Sequence, residues 1–240
     1  MTRKIAFTLA EVLITLGIIG VVAATTIPTL IANTQGAQNR SHFKKTLSSL
    51  NQAVKMNEAM YGFNFSTADK ACNRNDNPQN ILSVCAIFNG SLSGLTIFDY
   101  TQLRTKTNRL YYQELYNKGT TPDTEIKERG VNLYYYQLAD GSMFAFHSPT
   151  TNCSLGDKNI NELMQDTNFH KYCLGWIDVN GINLPNREVR CSDGKSHTRD
   201  ITAECTVPAK LITDVFPVVF YDGTVVPGSA AARQVLQTSK

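Results

Sequence analysis

The strongest feature of the hydrophobic pattern is an uncharged apolar run near the N-terminus, residues 12–31, VLITLGIIGVVAATTIPTLI. An α-helix rises about 1.5 Å per residue, so this run reaches about 30 Å, the thickness of a bilayer core. Arg3 and Lys4 precede it, and basic residues favour the cytoplasmic side of a membrane. The pattern predicts one membrane-spanning helix with the rest of the chain outside the cytoplasm.

After this run the hydrophobic positions keep a helical period. They form one apolar stripe with lysines off it: Phe43, Leu47, Leu50, Val54 and Tyr61. The pattern predicts one long helix whose lower part, 7–31, lies in the membrane and whose upper part, 32–61, is amphipathic. Because Asn33 and Gly36 are weak helix formers, we also expect a local break between residues 28 and 36.

Three segments in the C-terminal half combine strand composition with a hairpin turn. They are residues 131–148, 172–184 and 214–227, with turns at Asp140-Gly141, Asn180-Gly181 and Asp222-Gly223. They predict an antiparallel sheet that packs on the apolar stripe of the long helix. The predicted fold class is therefore α+β, with a long N-terminal helix and a head of residues 62–240.

The segments between the helix and the sheet are more polar. Residues 62–80 are rich in Asn, Asp and Gly, which predicts an irregular loop. The apolar segment 81–88 favours a short helix over a strand. Residues 99–130 are polar and predict a loop or a short helix.

Two residues distinguish the apolar run from a plain membrane anchor. Glu11 lies at its start, where an unpaired carboxylate costs less than the roughly 2.5–3.5 kcal/mol of the membrane centre but still opposes insertion. Pro28 lies inside it and removes the hydrogen bond to the Ala24 carbonyl. A secretory signal peptide would instead end in a small-residue A-x-A cleavage site. These features indicate that the apolar helix has a function other than anchoring or export.

This N-terminus resembles that of the type IV prepilin family, which includes pilus subunits and the pseudopilins of type II secretion. The shared features are a small residue before FTLAE, then an apolar helix with Gly and Pro in register: Ala6, Phe7, Glu11, Gly20 and Pro28. The family usually has Gly where this chain has Ala6. The resemblance covers about the first thirty residues.

The resemblance implies a leader of residues 1–6, cleaved between Ala6 and Phe7 by a prepilin peptidase, and methylation of the new amine. Glu11 would pair with such an amine during assembly, while Gly20 and Pro28 occupy family positions in the filament helix. It also implies a type IV pilin-like fold in the bacterial cytoplasmic membrane. Its implied partners are other pilin or pseudopilin subunits, the inner-membrane assembly platform and the lipid bilayer.

Three functions follow as hypotheses. The leading one is a structural subunit of a type IV pilus or type II secretion pseudopilus, and the large head favours a minor pilin or pseudopilin. The alternative is a single-pass anchored binding protein or adhesin that does not polymerise, in which Glu11 reaches the membrane surface. The third is an anchored enzyme with an unrecognised site.

All six cysteines lie beyond the apolar run. Their even number, wide spacing and lack of a C-x-x-C motif predict disulfides in an oxidising compartment, with free buried cysteines as the alternative. Short loops close at low entropic cost, which favours neighbour pairing. The predicted pairs are Cys72 with Cys85, Cys153 with Cys173, and Cys191 with Cys205.

Charge and motifs limit the possible chemistry. The chain has 23 Lys and Arg against 20 Asp and Glu, and two of the basic residues, Arg3 and Lys4, lie in the predicted leader. The remaining chain is therefore nearly neutral and has little electrostatic field to attract nucleic acid. The four histidines are isolated, and no HExxH, GxSxG or phosphate-binding glycine motif is present. We expect neither nucleic-acid binding nor enzymatic activity.

One set of oxygen-bearing residues is a candidate calcium site. Asp178, Asn180 and Asp214, with Asp222 nearby in the pattern, provide hard ligands at one end of the predicted sheet. Some pseudopilins bind calcium in their C-terminal region. However, Asp and Asn beside Gly also suit hairpin turns for backbone reasons, so both interpretations stay open.

Overall fold

The structure is a computed structural model that describes residues 8–99, 133–147, 150–183 and 185–238. Its helices are α1 (Leu9–Tyr61), α2 (Val84–Ser91), α3 (Ile160–Gln165), α4 (Thr167–Cys173) and α5 (Ala230–Gln237), with a 3₁₀ turn at Ala209–Leu211. Its strands are β1 (Thr96–Asp99), β2 (Leu133–Gln137), β3 (Met143–His147), β4 (Leu174–Asp178), β5 (Val215–Tyr221) and β6 (Thr224–Pro227). The predicted leader, with the processing site at Ala6 and Phe7, lies outside the described residues, and so does the loop or short helix predicted over 99–130, except that Asp99 ends β1.

The predicted long helix is confirmed as α1, a single helix of 53 residues. It ends at Gly62, whose φ of 76° is a left-handed conformation that glycine adopts without strain. The helix continues through Pro28, so the expected break between residues 28 and 36 is wrong. Proline has a helical φ and removes one backbone donor, and the helical hydrogen bonds on both sides of it continue.

The strands form one antiparallel sheet in the order β1 to β6, each paired with its neighbours in sequence. The hairpins predicted over 131–148 and 214–227 are present as β2–β3 and β5–β6. The hairpin predicted over 172–184 is wrong in its second arm, because Asn180 to Asn183 form turns after β4. β4 already pairs with β3 and β5, so it has no edge free for a returning strand.

The upper half of α1 packs on one face of the sheet, as its apolar stripe predicts. Phe43 is fully buried, and its ring stacks on Phe216 of β5 with centroids 4.2 Å apart. Asn51 accepts from the Val225 N–H at 2.9 Å and donates to the Val225 carbonyl at 2.8 Å, which fastens β6 to the helix. The main core therefore lies between α1 and the sheet.

The predicted short helix is confirmed as α2, which covers the same face beside α1. The irregular loop predicted over 62–80 is also present. The Phe88 ring of α2 lies 4.8 Å from Phe144 and 6.0 Å from Tyr136, centroid to centroid. Strand alternation directs Tyr135 to the opposite face, and it is buried as well. The tyrosines of β2 thus serve packing on both faces of the sheet.

All six cysteines form disulfides, with the predicted neighbour pairing. The bonds are Cys72–Cys85, Cys153–Cys173 and Cys191–Cys205, with sequence separations of 13, 20 and 14. Cys72–Cys85 and Cys191–Cys205 close short, mostly irregular loops, whereas Cys153–Cys173 encloses α3 and α4. The covalent bonds therefore hold segments of the head that the sheet does not.

We expect the double substitution C153A/C173A to lower the free energy of unfolding by about 3 kcal/mol, because this disulfide closes a loop of 20 residues. The Cys153 backbone also donates to the Phe65 carbonyl and accepts from the Asp222 N–H, so a looser loop affects two neighbouring turns. Chemical denaturation of non-reduced protein in detergent measures the loss. A variant as stable as the parent would contradict this role.

Candidate functional site

The lower half of α1 has no partner within the described residues. No residue from 8 to 35 is buried, and Leu13, Ile19 and Val21 are each more than 60% exposed. The helix is long and apolar enough to cross a membrane, with a mean hydropathy of 2.1 in its apolar stretch. An apolar surface of this extent is stable in lipid or against other apolar helices rather than in water.

Thr8 and Glu11 form a reciprocal cap at the start of α1. The Thr8 backbone N–H and hydroxyl each donate to Glu11 Oε2 at 2.8 Å. The Glu11 backbone N–H donates to the Thr8 hydroxyl oxygen at 3.3 Å. The cap thus orients the Glu11 side chain within a single subunit, but neutral donors leave its charge uncompensated. Sequence reasoning missed Thr8, although T-x-x-E before an apolar run is a capping-box signal.

Two glycines of α1 differ sharply in their surroundings. A Cβ added at Gly20 would meet no atom within 4 Å, so packing within the subunit does not require glycine there. A Cβ added at Gly36 would lie 2.0 Å from the Ala209 carbonyl oxygen, which is closer than contact allows. Gly36 therefore lets the 3₁₀ turn approach α1, whereas Gly20 and Pro28 lie on the half that the head leaves exposed.

The structure brings the candidate calcium residues Asp178, Asn180 and Asp214 together at one end of the sheet. Asp178 ends β4, and its Oδ1 accepts from the Asn180 backbone N–H at 3.2 Å. Asp214 precedes β5 and accepts a side-chain hydrogen bond from Asn180. Its two carboxylate oxygens also accept from the backbone N–H groups of Asn186 at 2.8 Å and Arg187 at 2.7 Å.

These bonds give Asp214 a structural role. Burial raises the pKa of Asp214, and the N–H groups of Arg187 and Asn186 oppose that rise. The carboxylate thereby fixes the backbone of the loop that follows β4. Asp222, expected near this group, is separated from Asp214 by the whole length of β5. Its carboxylate instead lies 3.4 Å from the Leu155 backbone nitrogen.

A cleft of about 340 Å³ lies between α1 and the loop after β4. Its α1 side consists of Gln38, Asn39 and His42, and its other walls come from the β2–β3 turn and residues 179–183. Gln38 lies seven residues beyond Ile31, or about 10 Å along the helix. If residues 12–31 span a bilayer, the cleft is at the side of the head that faces the membrane.

Lys45 and Asp140 join α1 to the β2–β3 turn beside this cleft. Lys45 Nζ lies 2.8 Å from Asp140 Oδ2, and the Ser142 hydroxyl donates to Asp140 Oδ1 at 2.6 Å. Partial burial raises the pKa of Asp140, but the bonds from Lys45 and Ser142 outweigh it and lower the pKa to about 2. The carboxylate is thus stabilised in its charged form.

We expect Asp140→Asn to remove part of the acid sensitivity of the head. A carboxylate with a lowered pKa contributes stability above its unfolded pKa and loses it as the pH falls through its folded pKa, here from about 4 to about 2. Because Lys45 is 65% exposed, solvent screens the ion pair. We therefore expect Asp140 to contribute about 1 kcal/mol to the free energy of unfolding at pH 6. Denaturation of both proteins at pH 6 and pH 2 measures it. An equal loss on acidification in parent and variant would contradict the assignment.

One further group of metal-ligating residue types occurs within the described ranges: Cys191, Asp193 and His197. Cys191 is bonded to Cys205 and offers no thiolate. His197 Nε2 lies 2.7 Å from Asp193 Oδ2, which is an ion pair when the imidazole is protonated. These residues form a local polar contact, with too few ligands for a metal.

Comparison with known proteins finds no similarity to this chain. It matches no protein-family model, no curated protein and no solved structure. Its function is therefore inferred from the exposed half of α1, the Thr8–Glu11 cap and the disulfide-bonded head.

Proposed function

We propose that this chain is a structural prepilin-like subunit, processed between Ala6 and Phe7 and assembled through α1 into a type IV pilus or a type II secretion pseudopilus. In that assembly it acts as a minor pilin or pseudopilin. The observation that carries the proposal is the unburied stretch of residues 8–35, which continues without a break into a helix packed on a folded head.

The shape of α1 suits a filament. At about 1.5 Å per residue its 53 residues reach about 80 Å, and the head contacts only the upper half. The lower half lies in the bilayer before assembly. In the filament, apolar contacts with the same half of other subunits replace its lipid contacts, and the heads form the outer surface.

The charge of Glu11 favours a subunit that assembles into a filament over a simple membrane anchor. Its carboxylate is held by Thr8 but carries an uncompensated charge in an apolar helix. A charged group in the membrane is costly unless an opposite charge meets it. The amine that processing creates at Phe7 of a neighbouring subunit supplies that charge. The ion pair forms when the two subunits are in the correct register, and it stabilises that register.

The same proposal assigns the location and the partners. The chain is anchored once in the bacterial cytoplasmic membrane, and its three disulfides suit a head in the periplasm or at the cell surface. The prepilin peptidase, other pilin or pseudopilin subunits and the inner-membrane assembly platform are its partners.

The cleft beside α1 favours a second candidate function, an anchored binding protein or adhesin that does not polymerise. Its polar lining from Gln38, Asn39 and His42 suits a small polar ligand. This alternative predicts an intact or differently cleaved N-terminus and no filaments.

Mass spectrometry of the protein purified from membranes tests the proposal. We expect a mature chain that begins with N-methylated Phe7, together with recovery of the protein in a sheared filament fraction. The matched control is a host strain without prepilin peptidase, in which Met1 should remain. A chain that starts elsewhere, or that never enters filaments, would exclude the subunit role.

A further inference from the structure

The head carries a turn that lies close to the level of the membrane surface. The Ala209 carbonyl of the 3₁₀ turn Ala209–Leu211 packs against Gly36 of α1, with no room for a Cβ between them. Gly36 is five residues beyond Ile31, or about 7.5 Å along the helix. Lipid headgroups occupy roughly the first 5–8 Å outside the hydrocarbon core. If residues 12–31 span a bilayer, the turn therefore lies at the level of the headgroups.

The exposed side chains of this turn suit a lipid surface. Leu211 is 44% exposed, although Ile212 beside it is buried, and Lys210 is exposed as well. A single exposed leucine is common on protein surfaces. At the depth of the headgroups, however, leucine enters the boundary with the acyl chains and lysine extends its amine to a lipid phosphate. The turn thus presents an apolar and a basic side chain where a membrane surface accepts both.

Two arginines add positive charge at the same end of the head. Arg40 lies one helical turn beyond Gly36 on the same side of α1. Arg187 is exposed in the loop after β4, where Asp214 accepts from its backbone N–H. Neither arginine, nor Lys210, forms an ion pair with a residue that the structure describes.

The acidic side chains at this end of the sheet leave that charge uncompensated. The aspartates at the end of β4 and before β5 are buried: Asp178 and Asp214. Asp140, in the β2–β3 turn, is paired with Lys45. Glu188 is partly buried and has Arg190 beside it. Among the described residues of these turns and strand ends, the exposed unpaired charge is therefore positive.

We propose that this end of the head docks on the anionic phospholipid surface of the membrane that α1 crosses. The docking face consists of Arg40, Arg187, Lys210 and Leu211. Leu211 enters the acyl boundary, and the three basic side chains contact lipid phosphates. The proposal rests on the membrane-spanning role of α1 within the proposed function, and it does not depend on filament assembly.

The position of Arg40 and the tether through α1 both favour docking. Side chains on a helix lean toward its N-terminus, which for Arg40 is the direction of the membrane. The Arg40 guanidinium has no hydrogen-bond partner among the described residues, so lipid phosphate oxygens provide acceptors for its donors. The transmembrane half of α1 holds the head beside the lipid at a high effective concentration, so weak contacts are sufficient. Because interfacial anchors set the tilt of a helix, docking also fixes which face of the head points away from the membrane.

The test uses the full-length protein in lipid nanodiscs of two compositions, phosphatidylcholine alone and phosphatidylcholine mixed with phosphatidylglycerol. Mass spectrometry measures the rate at which acetic anhydride, an uncharged reagent, acetylates each lysine. We expect Lys210 to react at least about fivefold more slowly in the anionic discs, because one basic residue near an anionic surface is held about that much more strongly. Lys158 is the internal control, since it is exposed and follows Leu155, which contacts Asp222 at the opposite end of β5.

Three variants assign the contact. Arg40→Gln should lower the docking equilibrium constant, calculated from the protection of Lys210, about fivefold. Lys55→Gln is the matched control, because it removes a positive charge from the same helix about 36 Å beyond Ile31 and should leave the protection unchanged. Leu211→Ser keeps every charge and should still reduce the protection, so a purely electrostatic effect of the disc surface predicts a different result.

The opposite results would overturn the proposal. These are equal acetylation of Lys210 in the two discs, equal slowing of Lys210 and Lys158, or equal effects of Lys55→Gln and Arg40→Gln. Full protection in Leu211→Ser would exclude insertion of the turn. Co-elution of the protein with the discs at high salt reports the insertion of α1 separately. An unprotected Lys210 in discs that retain the protein contradicts docking alone, whereas failure of α1 to insert also contradicts the proposed function.

Discussion

Glu11→Gln should nearly eliminate filaments while leaving the subunit in the membrane. The substitution removes an intramembrane charge, so insertion is unaffected or improved. In the proposed assembly it leaves the neighbouring Phe7 amine without its counter-charge, and an uncompensated buried charge costs about 3–5 kcal/mol. Filament yield in the sheared fraction, normalised to membrane-bound subunit, measures the effect.

The Thr8–Glu11 cap provides the matched control for this experiment. Glutamine also serves as the third residue of a capping box, so Glu11→Gln retains the cap and removes the charge. Thr8→Val does the reverse, because it removes the hydroxyl and keeps the Glu11 carboxylate. We expect Thr8→Val to assemble far better than Glu11→Gln. Normal filaments from Glu11→Gln would remove the pairing role of Glu11.

Gly36→Ala should detach the 3₁₀ turn Ala209–Leu211 from α1 and destabilise the head by about 1–3 kcal/mol. The new methyl group would lie 2.0 Å from the Ala209 carbonyl oxygen, so the turn or the helix has to move. Asn39, which donates to the Ile212 carbonyl at 3.3 Å, would lose that bond as the turn moves away. Thermal unfolding measures the stability, and faster tryptic cleavage after the exposed Lys210 reports the local change.

Gly20→Ala is the control on the same helix. Alanine is the better helix former by about 1 kcal/mol, and its Cβ meets no atom within 4 Å, so the isolated subunit should be as stable or more stable. In the proposed filament the same methyl group lies in the helical core and should reduce assembly. A loss of head stability in Gly20→Ala similar to that in Gly36→Ala would contradict the assignment of these two glycines.

Local patterns predicted much of this fold. The uncharged run and the apolar stripe predicted α1, since helix formation depends on residues three or four positions apart. The neighbour pairing of the cysteines followed from the low entropic cost of short loops, and the structure has those pairs. Two hairpins followed from Asp-Gly turns between segments of strand composition, because the turn and its flanking strands are adjacent in sequence.

The errors arose where distant segments decide the outcome. Asn180-Gly181 has the composition of a hairpin turn, but β3 and β5 occupy both edges of β4, and a local pattern does not contain that information. Gly36 was interpreted as a weak point of the helix. Glycine is needed there because the helix closely approaches Ala209, which is 173 residues away in the chain.

The candidate sites also divide into features that local sequence predicts and features that tertiary contacts decide. The sequence by itself determined the membrane-length helix, the position of Glu11 within it and the cysteine framework, because each depends on composition or on short spacing. Only the tertiary structure decided that Asp214 accepts from the backbone N–H groups of Asn186 and Arg187 and so holds the loop after β4. Those contacts form when β5 pairs with β4 and brings Asp214 to the end of that strand, so long-range strand pairing determines them and local sequence does not.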